Sequence, residues 1–447
     1  MKPVEEERGR ELYLRALKGR AETLDLVGRH SDSILDYTSV LENSKEVLDR
    51  IEARVGLHHV YDKIGEIDTA KKFATGALSD ARKEKDDTMI GVSLTSLAFS
   101  LINRGEFDRA RKKAKEAIGY LRKASKEKGL TREERRKIKG HLADAYNSIG
   151  HIENQQGRFS EALHSFERGL GFVEESDNQL GIVTLLNNIG WTYKLVNDHK
   201  KAVTFFSQAM EISQRIGSKN AIATIVGNLG MVYHDMAEYE KALSHFQKAL
   251  DINREMGSVS GIGINMNNMG NVYLDKKEID RARKLFLQSL DIFSRIGYHF
   301  GTAMVLSNLG IIYFGMGDYK KSLEFVKRSE VLVQKSSITE IGLRNRVLKG
   351  RILRETGKLQ ESLETLRDVI KDSENFGVMD IFINAVVAYV ETVCAGRTIF
   401  PKEIYLSKAE PAILLDRAEK ISRELNLKQF LKDIGSVREK WEGVVRG

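Results

Sequence analysis

Gly150, Gly190, Gly230, Gly270, Gly310 and Gly350 stand 40 residues apart, and no other feature of the chain constrains its fold as strongly. A strict period of this length implies one supersecondary unit repeated, each copy burying its apolar face against its neighbours. Other phases keep the register. Tyr193, Tyr233, Tyr273 and Tyr313 follow their glycines by three positions, and Phe166, Phe206, Phe246 and Phe286 by sixteen. Small residues (Ala162, Ala202, Ala242, Ala282, Ser322 and Ser362) follow by twelve. Ala98, with Gly105, Phe107, Ala110 and Ala117, is a further copy, and His58, with Tyr61, Gly65, Ile67, Ala70 and Ala77, is another. Between Ala98 and Gly150 the spacing widens to 52, around a basic stretch at 122–139 that lengthens a helical hairpin.

Each unit reads as two helices. Residues 181–196 carry apolar side chains at helical spacing, Asn197 and Asp198 interrupt them, and 199–216 form the second helix. Gly217, Gly257, Gly297 and Gly377 recur where a helix can end on a positive φ. The only prolines are Pro3, Pro401 and Pro411, which favours long helices over a turn-rich β fold. Small residues let paired helices approach, and the phenylalanines are expected to fill space against the next unit. The fold class is therefore all-α, a stack of antiparallel helix pairs.

The pattern N-x-G-x-x-Y, followed by a small residue, Phe and Ala in the second helix, resembles the tetratricopeptide repeat. That repeat usually has 34 residues and a terminal proline. Here the unit has 40 and a glycine, a form similar to Pins-type (leucine–glycine–asparagine) adaptors, kinesin light chains and bacterial peptide-sensing regulators. The resemblance implies a right-handed superhelical solenoid. It divides the chain into N-terminal helices (1–57, with 12–50 a degenerate pair), an array (58–395) and a degenerate last repeat with a capping helix (396–447). In that last part Pro401 and Pro411 bracket a connection before a helix at 412–425. The capping helix turns Phe430, Ile434, Val437 and Trp441 to one side.

Composition limits the chemistry. A single cysteine, Cys394, excludes an internal disulfide framework and reads as a small buried hydrophobe. The net charge of +8 and pI of about 9.1 come from dispersed charges, so nucleic acid is an unfavoured partner. The basic stretch is expected to be a solvated helical extension, with an acidic partner or RNA as the functional option. No apolar run approaches the roughly 20 residues that span a bilayer, and a cytoplasmic location is expected. There is no P-loop and no H-E-x-x-H, and adjacent His58 and His59 point apart on a helix. Gly261 and Gly263 imitate a dinucleotide fingerprint without its strand. We expect no enzyme activity, no cofactor and no metal.

The candidate site is an asparagine ladder. Asn188, Asn228, Asn268 and Asn308 precede their marker glycines by two positions, with Asn187 and Asn267 one earlier. The resemblance places this phase on the groove-facing side of the first helix, where evenly spaced amides can hold the main chain of an extended peptide. The alternative is that they pair between adjacent repeats. One turn on, Trp191, Met231, Asn271 and Ile311 are candidate contacts for ligand side chains. Arg344, Arg351 and Arg354 share a helical stripe suited to a carboxylate or phosphate, or else to local acids. The functional expectation is a protein-interaction scaffold or adaptor that binds a peptide segment. A peptide sensor acting through another effector, and more remotely an RNA-binding solenoid, are the alternatives.

Overall fold

A computed structural model describes residues 2–26, 29–336, 339–396, 409–425 and 427–446. Among these residues there are 21 α-helices and no strand. The helices fall into two compact units. The first comprises Met1–Asn154, Arg158–Lys194 and His199–Gly301, and the second Gln155–Gly157, Leu195–Asp198 and Thr302–Gly447.

The first unit opens with α1 (Lys2–Leu26), α2 (His30–Asn43) and α3 (Val47–Lys63), followed by α4 (Ile67–Glu84), α5 (Asp87–Asn103) and α6 (Phe107–Ala124). It continues through α7 (Arg132–Gln155), α8 (Phe159–Glu175), α9 (Gln179–Leu195), α10 (His199–Arg215), α11 (Lys219–Asp235), α12 (Tyr239–Met256), α13 (Val259–Asp275) and α14 (Ile279–Arg295). α15 (His299–Gly315) belongs to the second unit from Thr302 onward. The second unit then holds α16 (Tyr319–Ser336), α17 (Thr339–Glu355), α18 (Leu359–Phe376), α19 (Met379–Ala395), α20 (Ala409–Glu424) and α21 (Lys428–Arg446).

The 40-residue glycines are explained by the helix that follows each of them. A Cβ on Gly150 would lie 2.4 Å from the Phe166 ring, and one on Gly270 would lie 2.6 Å from Phe286. Each phenylalanine thus packs over the glycine of its own repeat. Phe206 also joins a cluster with Ile225 and Val232 of the following repeat, so one ring ties two units together. Phe166, Phe206, Phe246 and Phe286 are all buried, each contributing about 1.5–3 kcal/mol. Where serine replaces alanine twelve positions on, its hydroxyl is satisfied locally. Ser322 Oγ donates to the Gly310 carbonyl at 2.7 Å, and Ser362 Oγ donates to that of Gly350 at 2.8 Å.

The insertion does lengthen a hairpin. α7 has 24 residues, against 17 in α9, α11 and α13. Thr131 and Glu134 start it with reciprocal bonds: Thr131 N donates to Glu134 Oε2 at 2.7 Å and Glu134 N to Thr131 Oγ1 at 3.1 Å. α12 and α18 end on Gly257 and Gly377, at φ 68° and 72°, as the glycine phase predicts. The helix expected from 412 begins at Ala409 instead. Pro411 sits in its first turn, where a missing N–H costs nothing. Pro401 lies outside the described residues. Ile434, Val437 and Trp441 of α21 are buried in the core of the second unit, with Phe430 packed at its margin.

Candidate functional site

The asparagine ladder is partly closed on itself. Asn188 Nδ2 donates to Asn147 Oδ1 at 2.7 Å and approaches His151 Nε2 at 3.4 Å. One repeat on, Asn228 Nδ2 donates to Asn187 Oδ1, also at 2.7 Å. Asn265, which the ladder does not include, turns back to the Gly261 carbonyl at 2.8 Å. Several of these amides therefore meet structural needs between and within helices. Asn187 and Asn188 are fully engaged, since Asn187 Nδ2 also donates to Asn188 Oδ1 at 3.4 Å. Among the described residues Asn228 Oδ1 has no hydrogen-bond partner. Asn268 Oδ1 accepts from Asn267 at 3.5 Å, and among the described residues Asn268 Nδ2 has no acceptor.

Both residues line a cavity of about 450 Å³ within the first unit. One face of α11 supplies Asn220, Ala223, Thr224, Gly227, Asn228 and Met231, and α13 supplies Ser260, Gly261, Ile264, Asn265 and Asn268. The spacing of three and four residues is that of one helical face. Asn253, Ser258 and Tyr298 contribute from the neighbouring helix ends. Asp25 of α1, His30 of α2 and Lys63 of α3 complete the lining. Asp25 accepts from His30 Nδ1 at 3.1 Å and from Lys63 Nζ at 2.5 Å. Burial alone would raise the Asp25 carboxyl. The His30 hydrogen bond and the Lys63 ammonium outweigh it and hold it below the usual carboxylate range. Lys63 uses one of its three donors there. The site thus combines a fixed charge cluster, spare amide groups, and the apolar side chains of Met231 and Ile264.

The other predicted residues are placed as follows. Trp191 is partly buried in the first unit, with Lys194 Nζ 5.0 Å from its ring centre. Asn271 is partly buried on α13. Neither lines the cavity. Asn308 and Ile311 belong to the second unit, and Ile311 is exposed. In that unit two of the three arginines are matched to acids. Arg344 Nη2 donates to Asp380 at 2.6 Å and to Glu340 at 3.1 Å, and Arg354 pairs with Glu355 and Glu391. Arg351 differs: its Nε is buried without a partner among the described residues, and burial lowers its pKa.

Residues considered for other chemistry have packing explanations. A Cβ on Gly261 would lie 2.2 Å from Asn253 Oδ1, and one on Gly263 2.5 Å from the Phe293 ring. His58 is buried, its Nδ1 3.2 Å from Ser100 Oγ, and burial aided by His59 pushes its pKa down to about 3. Cys394 is half-buried against the second core, which raises its thiol pKa. Among the described residues no cluster of metal-ligating side chains occurs, and no helix is long and apolar enough to cross a membrane. In the basic stretch, Lys123 pairs with Asp87 at 2.7 Å, Lys139 pairs with Glu175 at 2.9 Å, and Arg136 donates to the Asp177 carbonyl.

Residues 141–215, 198–255 and 262–330 match the family model of the tetratricopeptide repeat. These segments carry tetratricopeptide repeats. No curated protein matches it in sequence. Among solved structures, a Rap protein complexed with competence and sporulation factor is 15% identical, with a TM-score of 0.58 over 85% of this chain and 99% of that one. Aspartyl phosphate phosphatase F from Bacillus subtilis is 15% identical, with a TM-score of 0.49 over 89% of this chain and 94% of that one. The apo form of RapI is also 15% identical, at 0.46 over 64% and 98%. At such identity the likeness shows the helical solenoid fold alone.

Sequence reasoning missed Asn147 and His151, although Asn147 stands one period before Asn187 and could have been found by extending that phase. Asp25, His30 and Lys63 gave no such signal. They lie in three separate helices, and only folding brings them to one cavity.

Proposed function

We propose that this chain is a regulatory or scaffolding protein that binds an extended peptide segment of a protein partner along the inner amide positions of its repeats. The observation that carries this reading is the pair of spare groups, an acceptor on Asn228 and donors on Asn268, in a cavity of about 450 Å³. A peptide unit presents one N–H and one C=O, so an acceptor and a donor one repeat apart suit main-chain recognition. The volume lies in the range of ligand pockets. Met231 would contact ligand side chains there, with Asn267 and Asn271 beside it on α13 and Asn187, Asn188 and Trp191 one repeat earlier on α9. In the second unit we assign Asn308 and Ile311 the same role by repeat phase. Arg351, flanked by Arg344 and Arg354, is the arginine with capacity left for a carboxylate.

A sensing role is the second reading. It is favoured by Asp25, His30 and Lys63, which place three N-terminal helices on the same cavity as the repeats. The Rap protein solved with competence and sporulation factor supports a peptide as the ligand class. The test is a displayed library of random decapeptides with free termini, selected against the full chain and against an Asn228→Ala/Asn268→Ala variant of equal helicity. Wild type should enrich defined peptides, and the variant should bind them at least about tenfold more weakly. Enrichment of nothing by wild type, or equal binding by both, would overturn the reading.

A further inference from the structure

The amide pairs between repeats follow a rule, and the rule breaks at one residue. Three positions before the marker glycine the chain carries Asn147, Asn187, Gly227 and Asn267. Two positions before it come Ser148, Asn188, Asn228 and Asn268. Asn188 donates to Asn147 and Asn228 donates to Asn187, each time reaching back 41 residues. By the same step Asn268 would donate to residue 227. That residue is glycine, which has no amide to accept, and Asn268 Nδ2 is left without a partner among the described residues.

Packing does not require this glycine. A Cβ on Gly230, three residues away, would strike Phe246 at 2.7 Å. A Cβ on Gly227 would meet nothing nearer than Asn265 Oδ1 at 3.7 Å, an ordinary contact. Gly227 lies inside α11, where glycine costs roughly 0.5–1 kcal/mol relative to alanine. A destabilising residue that no neighbour demands, lining a cavity beside an unpaired donor, is accounted for by what enters the cavity. Close approach of the backbone to a ligand is one of the settings that favour glycine.

We propose that Gly227 is the specificity-determining notch of the site: a ligand main-chain carbonyl enters where a residue-227 amide would lie and accepts from Asn268 Nδ2. The inference rests on the peptide-binding reading and adds the position and polarity of the contact. The ligand class is a peptide in extended conformation, because only an exposed main-chain carbonyl is both narrow enough for the notch and free of an internal partner. Thr224, Asn228 and Ile264 line the same cavity.

The test uses the full chain and the peptide enriched by wild type in the library selection. Gly227→Asn supplies the missing acceptor with a residue that the neighbouring repeats already tolerate at this phase. Its thermal midpoint should equal or exceed that of wild type, while peptide affinity falls about tenfold or more. Gly227→Ala keeps the test standing should the asparagine variant fold poorly. It should raise the midpoint by removing a helical glycine and still weaken the peptide about threefold or more, by crowding the notch. Peptide affinity unchanged in the folded variants would overturn the notch while leaving the peptide-binding reading intact. Failure of wild type to enrich any peptide would instead remove that reading, and the notch with it.

Discussion

α13 and α17 are each the first helix of a repeat, 17 residues long and marked by a glycine, Gly270 or Gly350, that a following side chain covers. They treat their polar residues in opposite ways. α17 carries arginines and closes most of them: Arg344, Arg346 and Arg354 each meet a carboxylate within 2.6 Å. At the ladder phase it has Leu348, which is buried. α13 carries amides at that phase and leaves Asn268 open toward a cavity. A guanidinium brought near the interior requires a counter-charge, because an unpaired charge costs several kcal/mol. A neutral amide half-exposed at a cavity costs far less, so a repeat can keep it in reserve for a ligand. The comparison teaches that identical frames tolerate either solution, and that the two helices differ in spare polarity more than in its amount.

Four measurements test that contrast. The largest effect belongs to the shared frame. Phe286→Ala beneath Gly270 and Leu366→Ala beneath Gly350 should each cost about 2–5 kcal/mol in urea unfolding; a negligible cost in either would mean the two helices are not held alike. Next comes a third way of treating a polar group, the buried neutral His58. Its value falls from about 6.5 unfolded to about 3 folded, so only the unfolded chain takes up the proton as the solution is acidified. Stability should therefore be lost as pH drops from 6.5 toward 3, by about 2 kcal/mol at pH 5. A His58→Leu chain should show a flatter urea midpoint between pH 7 and 5, and an identical slope would refute the burial argument.

Arg354→Ala should cost about 1–3 kcal/mol, since Glu391 loses its cation in a site from which water is largely excluded. Smallest is Asn268→Ala, with a stability change within about 0.5 kcal/mol: among the described residues no protein group depends on its Nδ2, and its Oδ1 receives only a long 3.5 Å contact from Asn267. If Asn268→Ala proves as destabilising as Arg354→Ala, the amide is structural and the contrast between the two helices disappears.

Much of the frame was legible in residues 150–366. Glycine, tyrosine, small and aromatic residues recur at fixed offsets because each contact is made locally, within a helix pair or with the next one. The lengthened α7 and the apolar side of α21 were legible for the same reason. The site was less so. The ladder was visible as a phase. Whether an amide bonds to the previous repeat or stays open depends on the residue 41 positions earlier, and Gly227 reads as unremarkable until Asn268 is found lacking a partner. The arginine stripe was visible too, but its pairing with Asp380 and Glu391 required knowing which carboxylates the next repeat brings within reach.

Sequence alone therefore determined the repeating unit, its helical pairs and the faces on which they pack, because these follow from periodicity and local packing. Tertiary structure alone decided which polar atoms remain unsatisfied and what stands beside them. Asp25, His30 and Lys63 reach the α11–α13 cavity from three helices well over a hundred residues upstream. Nothing in a 40-residue period encodes that meeting, since it depends on how successive helices accumulate their turn in space.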